Sequence, residues 1–286
     1  DSGKALGAAI GTSMYSLSLA TMGTESRLGR AYRRIYDFLC GVKPHERPWH
    51  FQYLDGFFLH RRLRRLLPTL GGNVLDVGCG RKPYQSWFGP VRNYVGIDIY
   101  PSEGVDIVIA PERAYPFRDN SFDVAICTQV LQSVSNPSHT LSEIKRVLRP
   151  GGIVVVSHSF LYDEIHNDLW RFSAQGTRSL FAAWSNVRVE RLGGFGSTAA
   201  VLFLHWVEAT LNLNRPLRLL KAALLPMWLV VSLFCNMLGL FINLFDGTHK
   251  FYSNVLVLAH KPYEKYEGGI SDAVATTARQ HRDTVV

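Results

Sequence analysis

Apolar positions along the chain follow a helical period first, then alternate between short runs and helical stripes, and finally lose their polar partners. Over residues 27–40, Leu28, Ala31, Tyr32, Ile35, Phe38 and Leu39 recur at helical spacing, while Arg27, Arg30, Arg33 and Arg34 fall mainly elsewhere. That is a basic amphipathic helix. A proline-containing link, 43–49, leads to a second helix over 52–67, with Phe57, Phe58, Leu63 and Leu66 on one side and Arg61, Arg62, Arg64 and Arg65 crowding the rest. Pro68, Gly71 and Gly72 end it.

Short apolar runs then alternate with helical patterns, which predicts a doubly wound α/β sheet. Strands are expected at 74–77, 94–99, 105–110, 122–128, 153–157 and 187–192, and a last one at 251–259. Asn136 followed by Pro137 reads as an N-cap and first helical position, and Leu141, Ile144, Val147 and Leu148 give that helix its buried stripe. The run from Arg149 to Gly152 stops it, and Ser173 caps a further helix reaching about residue 184.

Residues 198–245 break the alternation. The stretch 198–213 is apolar except for His205 and Glu208, a basic link carries Arg215, Arg218 and Lys221, and 222–245 holds no charge at all. That last run is long enough to span a bilayer, for which about 20 apolar residues suffice. Topology opposes a single crossing, because the strands on either side belong to one sheet, and a return through 198–213 would be short and would bury Glu208. A helical pair dipping into one leaflet fits better, with Arg215, Arg218 and Lys221 at head-group level. Ser232, Asn236, Gly239 and Asn243 form a small and polar stripe at helical spacing, suited to packing against protein. The alternative is a hydrophobic subdomain buried internally or in a homodimer.

Composition changes this picture little: 286 residues with 47% apolar content allow one large globular domain with an appendage. Charge changes it more. The net +8 is concentrated early, since residues 27–65 hold ten Lys/Arg against three Asp/Glu. Such a patch serves an anionic membrane face, an anionic substrate or nucleic acid, or is a solvated helix face. No aromatic-interleaved motif supports RNA. Cys40, Cys79, Cys127 and Cys235 lack metal or redox spacing, so a reducing, cytosolic setting and no metal are expected. Residues 1–25 lack the compact apolar segment of a leader and read as a loose arm. Residues 263–286 read as a polar tail.

The chemistry centres on residues 73–83, a short apolar strand that breaks into a glycine turn, Gly78-Cys79-Gly80, just after Asp76. Glycine lets a backbone approach a nucleotide-like ligand closely. Asp98 follows Asp76 by 22 residues, where a carboxylate accepts hydrogen bonds from both hydroxyls of a ribose. Yet the turn lacks the third glycine of a dinucleotide site, having Lys82 there, and Asp76 repels a pyrophosphate but not a cationic ligand.

With these residues the sequence resembles the class I S-adenosylmethionine-dependent methyltransferases. Further ordered motifs carry the resemblance: 95–98 (Val-Gly-Ile-Asp), 115–123 (Tyr-Pro-Phe-Arg-Asp-Asn-Ser-Phe-Asp), 129–131 (Gln-Val-Leu) and 146–152 (Arg-Val-Leu-Arg-Pro-Gly-Gly). It implies a Rossmann-like seven-stranded sheet with an antiparallel last strand, N-terminal helices, an apolar helical insertion, and S-adenosylmethionine over the carboxyl ends of the strands. The cofactor-binding set implied is Asp76, Gly78, Cys79, Gly80, Asp98, Ile99, Pro111, Glu112, Thr128 and Gln129. Departures are Lys82, Ala110 where relatives hold the adenine amino group with Asp, and Gln132-Ser133 where Glu-His is usual.

Methyl transfer to a hydroxyl needs alignment and removal of a proton. The run 166–173, His-Asn-Asp-Leu-Trp-Arg-Phe-Ser, is similar to a signature of methyltransferases found with bacterial surface-glycan biosynthesis. It points to His166 as base and Asp168 as its orienter, with Arg171 structural or facing substrate and His158 in reserve. Any of these can equally be a loop anchor, and Trp49 and His50 either pack or close over the cofactor. The segments expected are an arm at 1–25, basic helices at 26–70, a core at 71–197, the insertion at 198–248, the last strand at 249–262 and the tail. The function expected is methylation of a saccharide or lipid-linked acceptor at the cytoplasmic membrane surface, with a quinone-like lipophile or an inactive cofactor-binding scaffold as alternatives.

Overall fold

The computed structural model describes residues 34–36, 38–41, 44–161 and 168–263. The arm, the start of the first basic helix and most of the tail lie outside them. Seven strands form one sheet: β1 Gly72–Val77, β2 Val91–Asp98, β3 Ile107–Val108, β4 Phe122–Thr128, β5 Leu148–Ser159, β6 Ser185–Leu192 and β7 Asn254–His260. Their order is β3-β2-β1-β4-β5-β7-β6, with β7 antiparallel to both neighbours and the other pairs parallel. This is the Rossmann-like methyltransferase sheet that the motifs imply.

The strands depart from expectation where pairing, not composition, sets their ends. β5 begins at Leu148 because Leu148 pairs with Phe122 before the register shifts to Val124 opposite Ile153. β3 shortens to two residues, since only Ile97 and Asp98 pair with it at the sheet edge.

Helix α1, Tyr53–Leu66, lays Leu59, Leu63 and Leu66 on Val74, Val124, Ile126, Val155 and Leu256 across one sheet face. Helix α2, Pro137–Val147, covers the other with Leu141, Ile144 and Val147, and Asn136 Oδ1 accepts the His139 N–H at its start. Helix α3, Ala174–Leu180, is capped by Ser173 as expected but is shorter.

The insertion comprises α4 Phe195–Leu211, α5 Arg215–Ala223 and α6 Leu225–Asn243. It leaves the sheet after Leu192 and returns at Asn254, two residues that pair with each other. Asn254 also pairs with Ser159, so the insertion springs from the carboxyl end of the parallel strands, the end that carries the glycine turn. The expected inward stripe on α6 is present: Ser232 and Asn236 are fully buried, Asn236 Nδ2 donates to the carbonyls of Pro48 and His50, and Asn243 holds Ser197. The outward face exposes Met227, Val230, Phe234, Met237 and Phe241, continued on α4 by Leu202, Phe203 and Trp206. Among the described residues, α6 is the one helix long and apolar enough to cross a membrane.

One expectation about the insertion is corrected. The basic link is itself a helix, and Lys221 is not a head-group cation. Its side chain is 4% exposed and donates to Glu208 Oε1 at 2.7 Å. Glu208, an apparent obstacle to burial, is the partner that makes it tolerable.

Candidate active site

The glycine turn follows from how β1 ends. Gly78 and Gly80 both take positive φ, 68° and 48°, which side chains disfavour. A Cβ on Gly78 would stand 2.3 Å from Val130 Cγ2, whereas one on Gly80 would meet nothing within 4 Å. Gly78 is thus glycine for packing, and Gly80 presents bare backbone to open space.

Lys82 occupies the position of the missing glycine and adopts the glycine-like conformation itself, at φ 53°. Its ammonium pairs with Asp106 Oδ2 at 2.5 Å, its Nζ lies 5.7 Å from the Tyr94 ring, and Asp106 Oδ2 also accepts the Gly96 N–H at 2.7 Å. Gly96 has to be glycine here, since a Cβ would come within 2.6 Å of both Lys82 Cε and Cys79 Sγ.

Beneath the turn, Asp76 is buried and accepts from Tyr94 OH at 2.7 Å. Burial pushes its carboxyl up to about 7, against the Tyr94 hydroxyl and the Lys82 ammonium, with the Asp98 charge adding a small push the same way. Asp98, at the end of β2, accepts the Gly80 N–H at 3.1 Å and the Tyr100 N–H at 3.2 Å, one on each oxygen. A carboxylate has about four acceptor positions. Two remain, enough for the vicinal hydroxyls of a ribose, and Ile99 beside it is exposed and apolar, as a planar base requires. The residues present therefore fit S-adenosylmethionine: bare backbone at Gly80, acceptors at Asp98, an apolar surface at Ile99, and an acidic group near a cation.

Other expected cofactor residues are placed unevenly. Pro111 and Glu112 lie exposed after β3; Glu112 has φ 57°, and its carboxylate accepts from the Ser135 hydroxyl. Thr128 ends β4 and Gln129 follows it, with positive φ, 57°. The Cys79 side chain is buried against Gly96 and Gly104, and burial pushes its thiol up to about 12, so its backbone is what it can offer a ligand.

Of the expected base and its helpers, His166 lies outside the described residues. His158 is corrected, being 0% exposed with Nε2 2.9 Å from Thr177 Oγ1 and Nδ1 3.2 Å from Ser159 O. Burial lowers it to about 4, so it is a neutral anchor. Asp168 has two partners among the described residues. Its oxygens accept from Ser133 Oγ at 2.7 Å and Arg171 Nη1 at 2.9 Å, fastening the loop after β5 to the loop after β4. Ser133, one of the departures from the family pattern, is half of that latch. His50 is buried, with Nδ1 accepting the Gln52 N–H, and Trp49 Nε1 donates to Leu39 O, so both pack.

A chain of amides runs along this end of the sheet and was not legible beforehand. Gln132 Nε2 donates to Gln129 Oε1 at 3.3 Å, Gln129 Nε2 to Asn254 Oδ1 at 3.0 Å, and Asn254 Nδ2 to Asp55 O at 2.8 Å. Asp55 in turn meets His205 of α4, Oδ2 to Nε2 at 2.7 Å. A cavity of about 410 Å³ between Gly72, Arg92 and Arg149 lies at the opposite, amino-terminal end of the strands.

Residues 75–156 match a family described as a methyltransferase domain. The thiol S-methyltransferase TMT1B of Homo sapiens is 33% identical over 151 residues, covering 41% of this chain and 62% of the human protein. An uncharacterised protein of Methanocaldococcus jannaschii is 32% identical over 96 residues, covering 33% of this chain and 47% of its own. The chain thus spans less than two thirds of either relative. Among solved structures, phosphoethanolamine N-methyltransferase 2 of Haemonchus contortus aligns at 14% identity and TM-score 0.45, over 81% of this chain and 60% of that one. The family match falls on the stretch that carries the glycine turn and most of β1 to β5, so residues 75–156 are similar to a methyltransferase domain at the place where the site lies.

Proposed function

We propose that this chain is an S-adenosylmethionine-dependent methyltransferase of the cytoplasmic membrane surface, acting on a hydroxyl or thiol of a lipophilic or lipid-linked acceptor, saccharide-bearing intermediates included. When bound, the cofactor supplies a methyl group activated on a positively charged sulfur. Asp98 would hold the ribose, the Gly78 and Gly80 backbone would admit the methionine part, and Asp76 would offset positive charge. His166, which follows β5 in sequence, is the proposed acceptor of the substrate proton; two residues on, Asp168 is latched to Ser133 and Arg171.

The observation that carries the membrane part is the two-sidedness of α6. Its polar side chains turn inward to Pro48, His50 and Ser197, while Met227, Val230, Phe234, Met237 and Phe241 stay outside. A helix whose polar groups are spent on protein and whose large apolar groups are exposed suits the acyl boundary of one leaflet. The insertion grows from the same end of the sheet as the glycine turn, so an acceptor held in that leaflet has a short path to the cofactor. Exposed Arg61, Arg64, Arg65 and Arg215 supply attraction to anionic head groups. The acceptor named for the human relative supports sulfur as one acceptor atom.

Flotation with liposomes containing an anionic lipid tests this, alongside calorimetric titration with S-adenosylmethionine. The wild type is expected to float and to bind cofactor, and Phe234→Glu with Phe241→Glu to bind cofactor without floating. Equal flotation of the variant would remove the membrane from the reading; absence of cofactor binding would remove the enzyme.

A further inference from the structure

The amide chain at the carboxyl end of the sheet has a direction, and that direction is forced. Its far end is the backbone carbonyl of Asp55, which can only accept. Asn254 must therefore present Nδ2 there and Oδ1 to Gln129. Gln129 must answer with Nε2, which leaves its oxygen facing Gln132. Gln132 must answer with its own nitrogen, and its Oε1 is left over. Gln132 is only 5% exposed, yet this oxygen has no hydrogen-bond partner.

A buried acceptor without a donor is costly, and alignment of the amides behind it raises its appetite for a hydrogen-bond donor. Reversing the amide in place cannot relieve it. The Gln132 backbone carbonyl accepts the N–H groups of Leu169, at 2.6 Å, and Trp170, at 3.0 Å, which pins the residue to the loop after β5. Reversing the amide would set two oxygens against each other at Gln129. Gln132 stands on the loop that follows β4, three residues from Gln129 and between the latch residue Ser133 and the strand end.

Resting on the reading of this site as a methyltransferase for a lipophilic acceptor, we infer that Gln132 Oε1 accepts a hydrogen bond from the acceptor's own O–H or S–H group before methyl transfer, the proton then leaving to the proposed base, His166, and not to the amide. Gln132 is then a positioning and specificity residue: it selects acceptors that arrive protonated, aims the lone pair of the reacting atom, and releases the methylated product, which has no hydrogen left to give. An anionic acceptor meets only an oxygen there and is disfavoured.

The test uses the full chain with S-adenosylhomocysteine present, so that no turnover occurs, and two probes, 1-octanethiol and methyl octyl sulfide. The wild type is expected to bind the thiol at least about tenfold more tightly than the sulfide, a difference of about 1.4 kcal/mol. Gln132→Met should lose that preference by weakening the thiol alone, and should bind S-adenosylmethionine as the wild type does. A Gln132→Met variant that still prefers the thiol, or a wild type that binds both probes equally, overturns the inference. Lost cofactor affinity in Gln132→Met also overturns it, assigning the oxygen to the ammonium of the cofactor instead. If cofactor binds and neither probe does, the lipophilic-acceptor reading fails, and this inference with it.

Discussion

Gly196 of α4 and Gly239 of α6 cross so closely that neither can carry a side chain. A Cβ on Gly196 would lie 2.4 Å from the Gly239 carbonyl oxygen and 2.6 Å from Ile242 Cβ, and one on Gly239 would lie 2.9 Å from the Gly196 carbonyl oxygen. This crossing, together with the Asn243 amide on Ser197, ties the two ends of the insertion together where they leave the sheet. Gly196→Ala should therefore push the helices apart and destabilise the protein by about 1–3 kcal/mol, the usual cost of overpacking. Urea unfolding measures it, and an unchanged midpoint would mean that the helices can slide without cost.

Asp76 makes cofactor affinity depend on pH in a definite direction. Burial raises its folded pKa from 3.8 to about 7, so around and below neutrality the carboxyl holds its proton. For an acid with a raised pKa, ionisation opposes folding, and stability falls as pH rises from the unfolded value toward 7. A cationic cofactor prefers the ionised form, so its affinity should rise between pH 6 and 8 with proton release on binding, detectable by calorimetry in buffers of different ionisation enthalpy. S-adenosylhomocysteine, which lacks the sulfonium charge, should show a shallower slope, and Asp76→Asn none. An equal slope in Asp76→Asn would assign the dependence to another group.

Local signals made the architecture legible. The alternation of strand and helix, the Asn136-Pro137 start and the inward stripe of Ser232, Asn236, Gly239 and Asn243 are all set by residues close in sequence, and each stands where its period puts it. The site was legible only in its backbone. Lys82 reads as a departure because the carboxylate that permits its conformation, Asp106, is 24 residues away. The amide chain joins Gln129 to Asn254 across 125 residues, a contact made when β7 enters the sheet between β5 and β6. Ser133 gains its purpose from Asp168, 35 residues on. Side chains whose roles depend on such distant partners carry no local period.

The buried pair of Lys221 and Glu208 should behave differently in single and double variants. Lys221 Nζ also donates to Asn212 Oδ1 at 3.0 Å, while Glu208 Oε2 has no partner. Burial lowers the Lys221 pKa and the Glu208 charge opposes that. Lys221→Met leaves a buried carboxylate unpaired and should cost about 3–5 kcal/mol, whereas Lys221→Met with Glu208→Leu should recover most of it. Thermal melts compare the three proteins. If the double variant is no better than the single, the pair is supplying specificity of packing between α4 and α5 that apolar residues do not replace.

Arg146 gathers the loop before β4 around itself, and this gives the protein an acid-sensitive joint. Its guanidinium donates to both Glu143 oxygens at 2.9 and 2.8 Å, to Asp119 at 2.7 Å, and to the carbonyls of Phe117 at 2.8 Å and Tyr115 at 3.0 Å. The Glu143 carboxylate, chiefly through the Arg146 hydrogen bonds and also the Tyr115 N–H, is held below its ordinary value of 4.5. A lowered folded pKa means that the contribution of Glu143 is complete above pH 4.5 and is lost as pH falls through the folded value. The melting temperature of the wild type should therefore drop more steeply below pH 4.5 than that of Glu143→Gln, with the two curves parallel above it and the variant lower. Arg146→Lys keeps the charge but lacks the planar fork, so it cannot bridge Glu143, Asp119 and two carbonyls at once. It should lose stability at every pH while S-adenosylmethionine affinity is kept, because the joint lies on the α2 face of the sheet and not at the glycine turn. Parallel acid limbs for wild type and Glu143→Gln would show that the lowering belongs to another carboxylate in the chain.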